Sequence, residues 1–304
     1  MITESLQRIV KRATQSKLAV MVVAGAGLAG IVSSRGQSAD SGASLVASAA
    51  PSVRGGMLGA TVRSAIPDTG AKASLLEFAG RDPRGLVRLA RERCQRDIGD
   101  FRCLFVKQER INGKLKEVEE IDARYRADPL SVFMTWRSGA GQAKRALFID
   151  GPEFVDGDGQ RLARVEPAGA LIRLVVSDVM VPIHDARARE ASRRAIDEFG
   201  FRSTFEILKR VNDLAAARNE LDFRYEGEGT IDGRATLILV RRLPYTGPGG
   251  LYPDAKLVLH LDQEWLLPTA VYSYTDPAGH ELLGSYIFTQ VQLNPGLNED
   301  DFRF

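Results

Sequence analysis

The feature that most constrains the fold is the segment of residues 101–137, which reads FRCLFVKQERINGKLKEVEEIDARYRADPLSVFMTWR. It contains three strand-like runs separated by two turns. The pair Asn112-Gly113 is the strongest short hairpin signal, because both central residues of such a turn must accept a positive φ. The pair Asp128-Pro129 predicts the second turn, since proline presets a turn and cannot donate within a strand. The segment therefore predicts an antiparallel meander, whose apolar face needs a cover.

The rest of the chain adds strand patterns and a few helix patterns, with no internal repeat and no alternation of strand and helix. Further strands are predicted at 144–150, 154–155, 161–165, 221–227, 230–243, 256–262, 268–274 and 282–293. Helices are predicted at 82–96, 185–199 and 204–218, the first capped by Asp82 and the last by Ser203. Residues 168–176 fit either a helix or a strand. The pattern predicts an α+β domain of about ten antiparallel strands over residues 74–304.

The first 73 residues predict targeting rather than fold. Four basic residues precede an apolar run at 18–32, and small residues follow up to a predicted cleavage site after Ala39. The run is shorter than the roughly 20 residues that span a bilayer. Residues 1–39 therefore predict an export signal to the periplasm, with an uncleaved membrane anchor as the alternative. Residues 40–73 are rich in Ser, Ala, Gly and Pro and predict a flexible linker.

Composition and motifs argue against several classes of function. The net charge is only +2, so no broad electrostatic field favours nucleic acid. Residues 25–30 match the dinucleotide pattern GxGxxG, but no amphipathic helix follows, and small residues are usual in an export signal. The run at 156–159 alternates Asp and Gly, and a hairpin turn explains it better than calcium, because the rest of a calcium loop is missing. We predict no cofactor.

Catalysis and metal binding are not predicted either. The chain has three histidines, His184, His260 and His280, and none lies in a cluster with metal-ligand spacing. His260 and Asp262 share one strand face, but no nucleophile motif accompanies them. We therefore predict no catalytic residue, no metal site and no enzymatic activity.

Two cysteines, Cys94 and Cys103, stand close together in the sequence. In an exported protein they can form a disulfide that ties the end of the first helix to the first strand, with an entropic gain of about 2–3 kcal/mol. The alternative is a pair of buried thiols. We predict the disulfide.

Four segments resemble an uncharacterised exported domain family of bacteria, similar in fold to the periplasmic lipoprotein-carrier and lipoprotein-sorting proteins. They are FVKQERINGKL at 105–115, VFMTW at 132–136, IDEFGF at 196–201, and VQLNPGL at 291–297 with Asp301-Phe302. The resemblance spans residues 94–302, and its first hairpin is the most specific part. It implies a highly curved antiparallel half-barrel, helices on the concave side, an apolar groove between them, and no known catalytic residues.

Apolar residues at alternate strand positions, with three from the helix at 204–218, predict the lining of that groove. They are Phe105, Val132, Met134, Trp136, Phe205, Leu208, Val211, Leu237, Leu239, Leu257, Leu259 and Phe288. Burying one methylene contributes about 0.8 kcal/mol, so a sixteen-carbon acyl chain can gain roughly 12 kcal/mol before ordering costs. The same residues also fit an ordinary core, and only the volume of the hollow separates the two readings.

The sequence thus predicts an exported, membrane-proximal monomer that binds a lipid or an acylated protein. The alternative is an envelope sensor or scaffold that binds a peptide or protein at an exposed strand edge. Basic side chains predicted at the rim, Arg241, Arg242 and Lys256, suit an acidic headgroup and an acidic peptide equally well.

Overall fold

The computed structural model describes residues 69–141, 143–169 and 177–304. The predicted export signal, the glycine-rich motif at 25–30, most of the linker and most of the ambiguous run at 168–176 therefore lie outside the described residues. The helices are α1 (Thr69–Arg81), α2 (Pro83–Asp97), α3 (Ala186–Ala191) and α4 (Phe201–Ala217). Short 3₁₀ turns lie at Pro152–Phe154, Ile196–Glu198 and Glu299–Phe302.

The strands form one 12-stranded antiparallel sheet. In chain order they are β1 (Asp100–Ile111), β2 (Lys114–Leu115), β3 (Glu119–Ala127), β4 (Leu130–Ser138), β5 (Ala143–Ile149), β6 (Leu162–Pro167), β7 (Val179–Pro182), β8 (Asp222–Ile231), β9 (Arg234–Arg242), β10 (Lys256–Asp262), β11 (Pro268–Tyr274) and β12 (Leu282–Leu293). Their order in the sheet is β7-β6-β5-β4-β3-β1-β12-β11-β10-β9-β8, with β2 beside β1. The predicted meander is thus the middle of the sheet, and β7 and β8 are its edges.

The turn chemistry read from the sequence is confirmed at the central hairpin. Asn112 and Gly113 have φ values of 51° and 76°, the left-handed conformation that this turn requires. On one side β1 pairs with β3, where Phe105 faces Ile121. On the other it pairs with β12, where Phe105 faces Phe288. The pairing of β1 with β12 joins the first and last strands of the domain. It therefore connects the N-terminal and C-terminal halves of the sheet.

Helices α2 and α4 pack against one face of the sheet, which we call the covered face. Helix α2 begins as predicted: the Asp82 carboxylate accepts a hydrogen bond from the Gly85 N–H at 2.7 Å. Its residues Leu86, Ala90 and Cys94 are buried, whereas Leu89, also predicted to be buried, is 47% exposed. Helical spacing alone does not distinguish residues at the centre of the buried face of a helix from residues at the edge of that face.

Helix α4 begins two residues earlier than the predicted cap, Ser203. Its N-cap is Gly200, with a φ of 103°, and the helix thereby carries Phe201 into the core. Phe201 lies 4.5 Å from Phe101 and 4.8 Å from Phe288, measured between ring centroids. We call the group of Phe101, Phe105, Tyr125, Phe199, Phe201 and Phe288 the aromatic cluster. The stabilisation from burying these rings exceeds the stabilisation that a polar side chain at the N-cap would provide.

Other predicted elements were wrong, and tertiary contacts explain most of them. The strand expected at 154–155 is a 3₁₀ turn followed by a single bridge to Arg161. The helix expected at 185–199 forms only over Ala186–Ala191, because the residues after it turn their polar groups toward the sheet. Strand β7 was not predicted. Helix α1 begins inside the predicted linker, with Ala79 fully buried and Lys72 paired to Glu228 at 2.9 Å.

We expect Gly200→Ala to destabilise the protein strongly. A Cβ at this position would lie 3.0 Å from two Tyr125 ring carbons, in a backbone conformation that L side chains rarely adopt. Strain and overpacking together predict a loss of about 3 kcal/mol in the free energy of unfolding. The control is Gly233→Ala, whose φ is also positive but whose Cβ would meet nothing within 4 Å. Urea unfolding that shows equal losses in both variants would contradict the role of Gly200 in docking α4.

Candidate functional site

The residues predicted to line a groove do come together on the covered face. All of them are buried except Trp136, which is half-buried against the same cluster. Val211 belongs to a neighbouring cluster with Ala215, Leu243 and Tyr252. The others pack in one core cluster with Phe199, which lies just before α4, and with Phe201 and Phe205 of α4.

The space between α4 and the sheet is nearly full. A cavity of about 20 Å³ remains there, and its apolar lining residues are Leu208 on α4 and Leu257, Leu259 and Val271 on the sheet. A volume of this size holds about one water-sized group and is far too small for an acyl chain. In this conformation the predicted groove residues therefore act as core, which is the alternative that the sequence left open.

Charged groups are buried at one end of the covered face. On β1 the inward positions run from Phe105 to Lys107 and then Glu109, whose residue is 2% exposed. The Glu109 carboxylate accepts hydrogen bonds from Tyr286 Oη at 2.7 Å and from Ser192 Oγ at 2.9 Å. Lys107 Nζ lies 3.3 Å from Glu109 and 3.4 Å from Glu119. We call Lys107, Glu109, Glu119, Ser192 and Tyr286 the polar cluster.

Glu109 also holds the chain that leads into α4. Both of its carboxylate oxygens lie 3.3 Å from the backbone N–H of Arg193. A second anchor is Asp197, which accepts from Arg161 Nη1 at 2.5 Å and contacts His184 Nε2 at 3.0 Å. Polar contacts thus hold residues 192–197, which we call the leading segment. The buried side chains of α4 are apolar except Asn212.

The contacts of the polar cluster favour the ionised form of Glu109. Burial alone would raise the pKa of Glu109. The charge of Lys107 and the hydrogen bonds from Tyr286, Ser192 and Arg193 lower it by more than burial raises it, so the pKa lies below the ordinary 4.5. Burial and the neighbouring Glu109 charge raise the pKa of Tyr286, which therefore stays a phenol and donates its proton. The cluster is a fixed ion pair rather than a group poised to exchange protons near neutrality.

A second buried charge pair lies under α4, in a group that we call the arginine pocket. Arg241 is 1% exposed, so its predicted place on a rim is wrong. Its guanidinium makes two bonds to Asp254, at 2.9 and 3.0 Å, and one to Asn212 Oδ1 at 3.1 Å. Burial lowers the pKa of Arg241, and the Asp254 charge opposes that shift. Arg194 lines the same small cavity and completes the pocket.

The two cysteines are free thiols, so the predicted disulfide is absent from the structure and the alternative of two buried thiols is what is observed. Both belong to the main core cluster, where they pack as small apolar side chains. Burial raises the pKa of Cys94 to about 12 and raises that of Cys103 as well. Neither thiol is therefore an activated nucleophile in this conformation.

The histidines do not assemble into a site. His260 contacts Thr236 Oγ1 at 3.0 Å, and burial lowers its pKa. Asp262, the partner considered for it, binds Arg234 instead, at 2.6 and 3.0 Å. His280 is largely exposed beside Asp276. In the part of the chain that the structure describes, no group of three or more His, Cys, Asp or Glu side chains can hold a metal ion.

An open cleft of about 350 Å³ lies on the outer side, between α2 and α4. Basic side chains from both helices line it, but most are already paired: Lys209 and Arg84 with Asp213, and Arg91 with Glu206. None of the helices within the described ranges is both long enough and apolar enough to cross a membrane.

Comparison with known proteins gives a family and weak structural likenesses. Residues 98–304 match a family described as a protein of unknown function (DUF1571), and no curated protein matches the sequence. Among solved structures, the Pseudomonas aeruginosa MucA/MucB complex is similar at 19% identity and a TM-score of 0.40, over 78% of this chain and 61% of the matched one. The Mycobacterium tuberculosis lipoprotein LppX is similar at 15% identity and a TM-score of 0.38, over 74% and 98% of the two chains.

A putative outer membrane lipoprotein-sorting protein domain from Vibrio parahaemolyticus is similar at 13% identity and a TM-score of 0.34, over 71% of this chain and 95% of that one. The family match over residues 98–304 confirms the resemblance to an uncharacterised domain family that was inferred from the sequence. This chain spans less than two thirds of the matched MucB chains, 63% and 61%. Likenesses with TM-scores this low carry no argument about ligands or partners.

We expect stability to fall in acid through Glu109. The folded pKa of Glu109 lies below 4.5, so its contribution is present above the unfolded pKa and is lost as the pH falls through the folded pKa. Glu109→Gln should cost about 3 kcal/mol near pH 5.5, because it leaves Lys107 and the leading segment without their buried anion. Near pH 3 the two proteins should differ much less. The exposed neighbour Glu120 supplies the control, Glu120→Gln, and urea unfolding at both pH values makes the comparison. A gap that does not narrow in acid would rule out this role.

Proposed function

Because the chain belongs to the DUF1571 family, whose function is unknown, we propose its function from the site: it is an exported, non-catalytic protein that binds an apolar ligand between α4 and the covered face. The ligand is a lipid or the acyl chain of a lipoprotein. In this proposal the sheet curves around the ligand, and α4 lifts to admit it. The conformation described above is the closed, empty form.

The observation that carries the proposal is the burial of two ion pairs, Lys107–Glu109 and Arg241–Asp254, under one helix and its leading segment. Removing ions from water costs several kcal/mol each, and apolar replacements of similar volume are often neutral or stabilising. Buried charges of this kind are enriched at functional sites. A helix that served only as a lid on a permanent core would be more stable without them.

The balance of burial supports an exchange of helix for ligand. Lifting α4 exposes the side chains of Phe201, Phe205 and Leu208, each of which contributes about 1.5–3 kcal/mol when buried. A sixteen-carbon chain in the same place returns roughly 12 kcal/mol before its own ordering costs. The two terms are of similar size, so ligand uptake can offset the cost of opening.

We predict that delipidated protein binds palmitate and that binding exposes the buried thiols. Cys94 on α2 and Cys103 on β1 are buried in the core cluster that α4 also joins, so a thiol reagent should label them several-fold faster when palmitate holds α4 away. Leu208→Gln should weaken palmitate binding at least tenfold, because an amide would replace a buried apolar side chain on the face of α4 that is turned toward the ligand. Leu214→Gln, on the exposed side of the same helix, is the matched control. Circular dichroism would establish that both variants fold.

Two results would defeat this proposal. One is the absence of saturable palmitate binding by the folded wild-type protein. The other is palmitate binding that leaves thiol labelling unchanged and is equally strong in the Leu208 and Leu214 variants, which would indicate a surface site.

A second candidate function is partner binding at the sheet edge. Strand β7 pairs only with β6 among the described strands, and its Val179 and Met180 side chains are 38% and 42% exposed. An extended peptide of an envelope protein can add there by strand pairing, with these side chains as its apolar contacts. By contrast, the other edge strand, β8, carries outward charges such as Arg224 and Glu226, which discourage pairing.

The double variant Val179→Lys with Met180→Lys separates the two candidates. If the edge binds a partner, a pull-down from envelope extract with the wild-type protein should recover a protein that the double variant loses, while palmitate binding is unchanged. A pull-down that returns lipid and no protein would count against the edge and leave the groove as the better account.

A further inference from the structure

We propose that the arginine pocket binds the anionic headgroup of the ligand, so that the protein selects amphiphiles with a carboxylate or phosphate over uncharged ones. This inference rests on the proposed function, because the headgroup site has meaning only if α4 makes way for an apolar chain. It adds the class of ligand and the residues that select it.

The first observation is an incompletely satisfied guanidinium. Arg241 is 1% exposed, and its two terminal nitrogens bind Asp254 and Asn212. Its Nε is buried and has no hydrogen-bond partner among the described residues. A buried donor without a partner costs about 1–3 kcal/mol, and such groups call for an explanation. Arg241 lines the small cavity under α4, so an acceptor placed there can satisfy the free donor.

The second observation is an uncompensated charge beside the first. Arg194 is half-buried, lines the same cavity, and its guanidinium lies 5.6 Å above the Tyr286 ring. In the described part of the chain no carboxylate pairs with Arg194. Two guanidiniums therefore share the cavity with one carboxylate, that of Asp254, which already binds Arg241 through both oxygens. The pocket carries a surplus of positive charge in a place with little water.

The chemistry of this arrangement suits an anionic oxygen. Guanidiniums bind carboxylates and phosphates through short charge-assisted hydrogen bonds, which strengthen when water is excluded. The cavity of about 20 Å³ has room for one oxygen atom of such a headgroup. The sheet side of this cavity is apolar and is formed by Leu257, Leu259 and Val271. A headgroup between Arg194 and Arg241 thus places the attached chain over the surface that α4 covers.

The position of Arg194 also links the headgroup to opening. It lies in the leading segment, two residues from Ser192, which Glu109 holds. An anion drawn to Arg194 competes with the ring of Tyr286 and the neighbouring contacts for this segment. The headgroup therefore acts where the polar contacts, rather than the apolar ones, hold the chain in place.

The test is displacement of an uncharged dye, N-phenyl-1-naphthylamine, from the full chain by three sixteen-carbon competitors: palmitate, hexadecyl phosphate and hexadecanol. We expect at least one anion to compete at concentrations about tenfold lower than hexadecanol, and whichever anion is favoured identifies the headgroup class. The preference should persist in 0.5 M salt, because a buried contact is screened far less than a surface one. Arg194→Gln should reduce the preference to about threefold or less.

The control is Arg189→Gln, which removes an arginine of α3 whose side chain is exposed and does not line the cavity. It should keep the full preference. Equal competition by hexadecanol and both anions in the wild-type protein would overturn the headgroup site and leave apolar binding intact. The same effect from both arginine variants, or a preference that vanishes in salt, would place the selectivity on the surface. If the dye itself does not bind and no competitor does, the proposed function fails together with this inference.

Discussion

The structure depends on the contact between α4 and the middle of the sheet. Phe201 and Phe205 of the helix are fully buried; the Phe201 ring contacts Phe101 on β1 and Phe288 on β12, and Phe205 belongs to the same core cluster. These two strands belong to opposite ends of the domain sequence, so their pairing and the rings above it hold both halves together. Stability therefore relies on the surface that the proposed ligand would occupy.

The same surface must therefore stabilise the fold and receive the ligand. Both are possible because the contacts of α4 differ in kind from those of the leading segment. The buried side chains of the helix are apolar except Asn212, and a hydrocarbon chain can replace their contacts in kind. The segment before it is held by Glu109 and Asp197 through hydrogen bonds that water can replace. A ligand with an acidic head and an apolar tail matches both kinds of contact, in the order in which they lie along the chain.

Much of the fold follows from local sequence, and the site does not. Strands β10, β11 and β12 have the predicted bounds, and the Asn112-Gly113 turn has the predicted geometry, because period-two patterns and turn residues act locally. The described residues form twelve strands rather than about ten, since short strands such as β7 exist only through their neighbours. The α4 cap is a glycine because Tyr125 and Phe101, which are distant in sequence, leave no room for a side chain.

The polar cluster was missed although its signal was visible: Lys107 and Glu109 share the strand face of Phe105, where an apolar residue is expected. The arginine pocket gave no such signal, because only the folded chain brings Arg194 to Arg241.

Hydrogen exchange along the chain, measured with and without palmitate, tests the central claim that α4 is displaced by ligand. The account predicts that palmitate accelerates exchange of the α4 backbone amides, while the amides of β1 and β12 stay protected. Exchange that slows uniformly, or that is unchanged in α4 at saturating palmitate, would contradict it, because the ligand would then bind without opening the covered face.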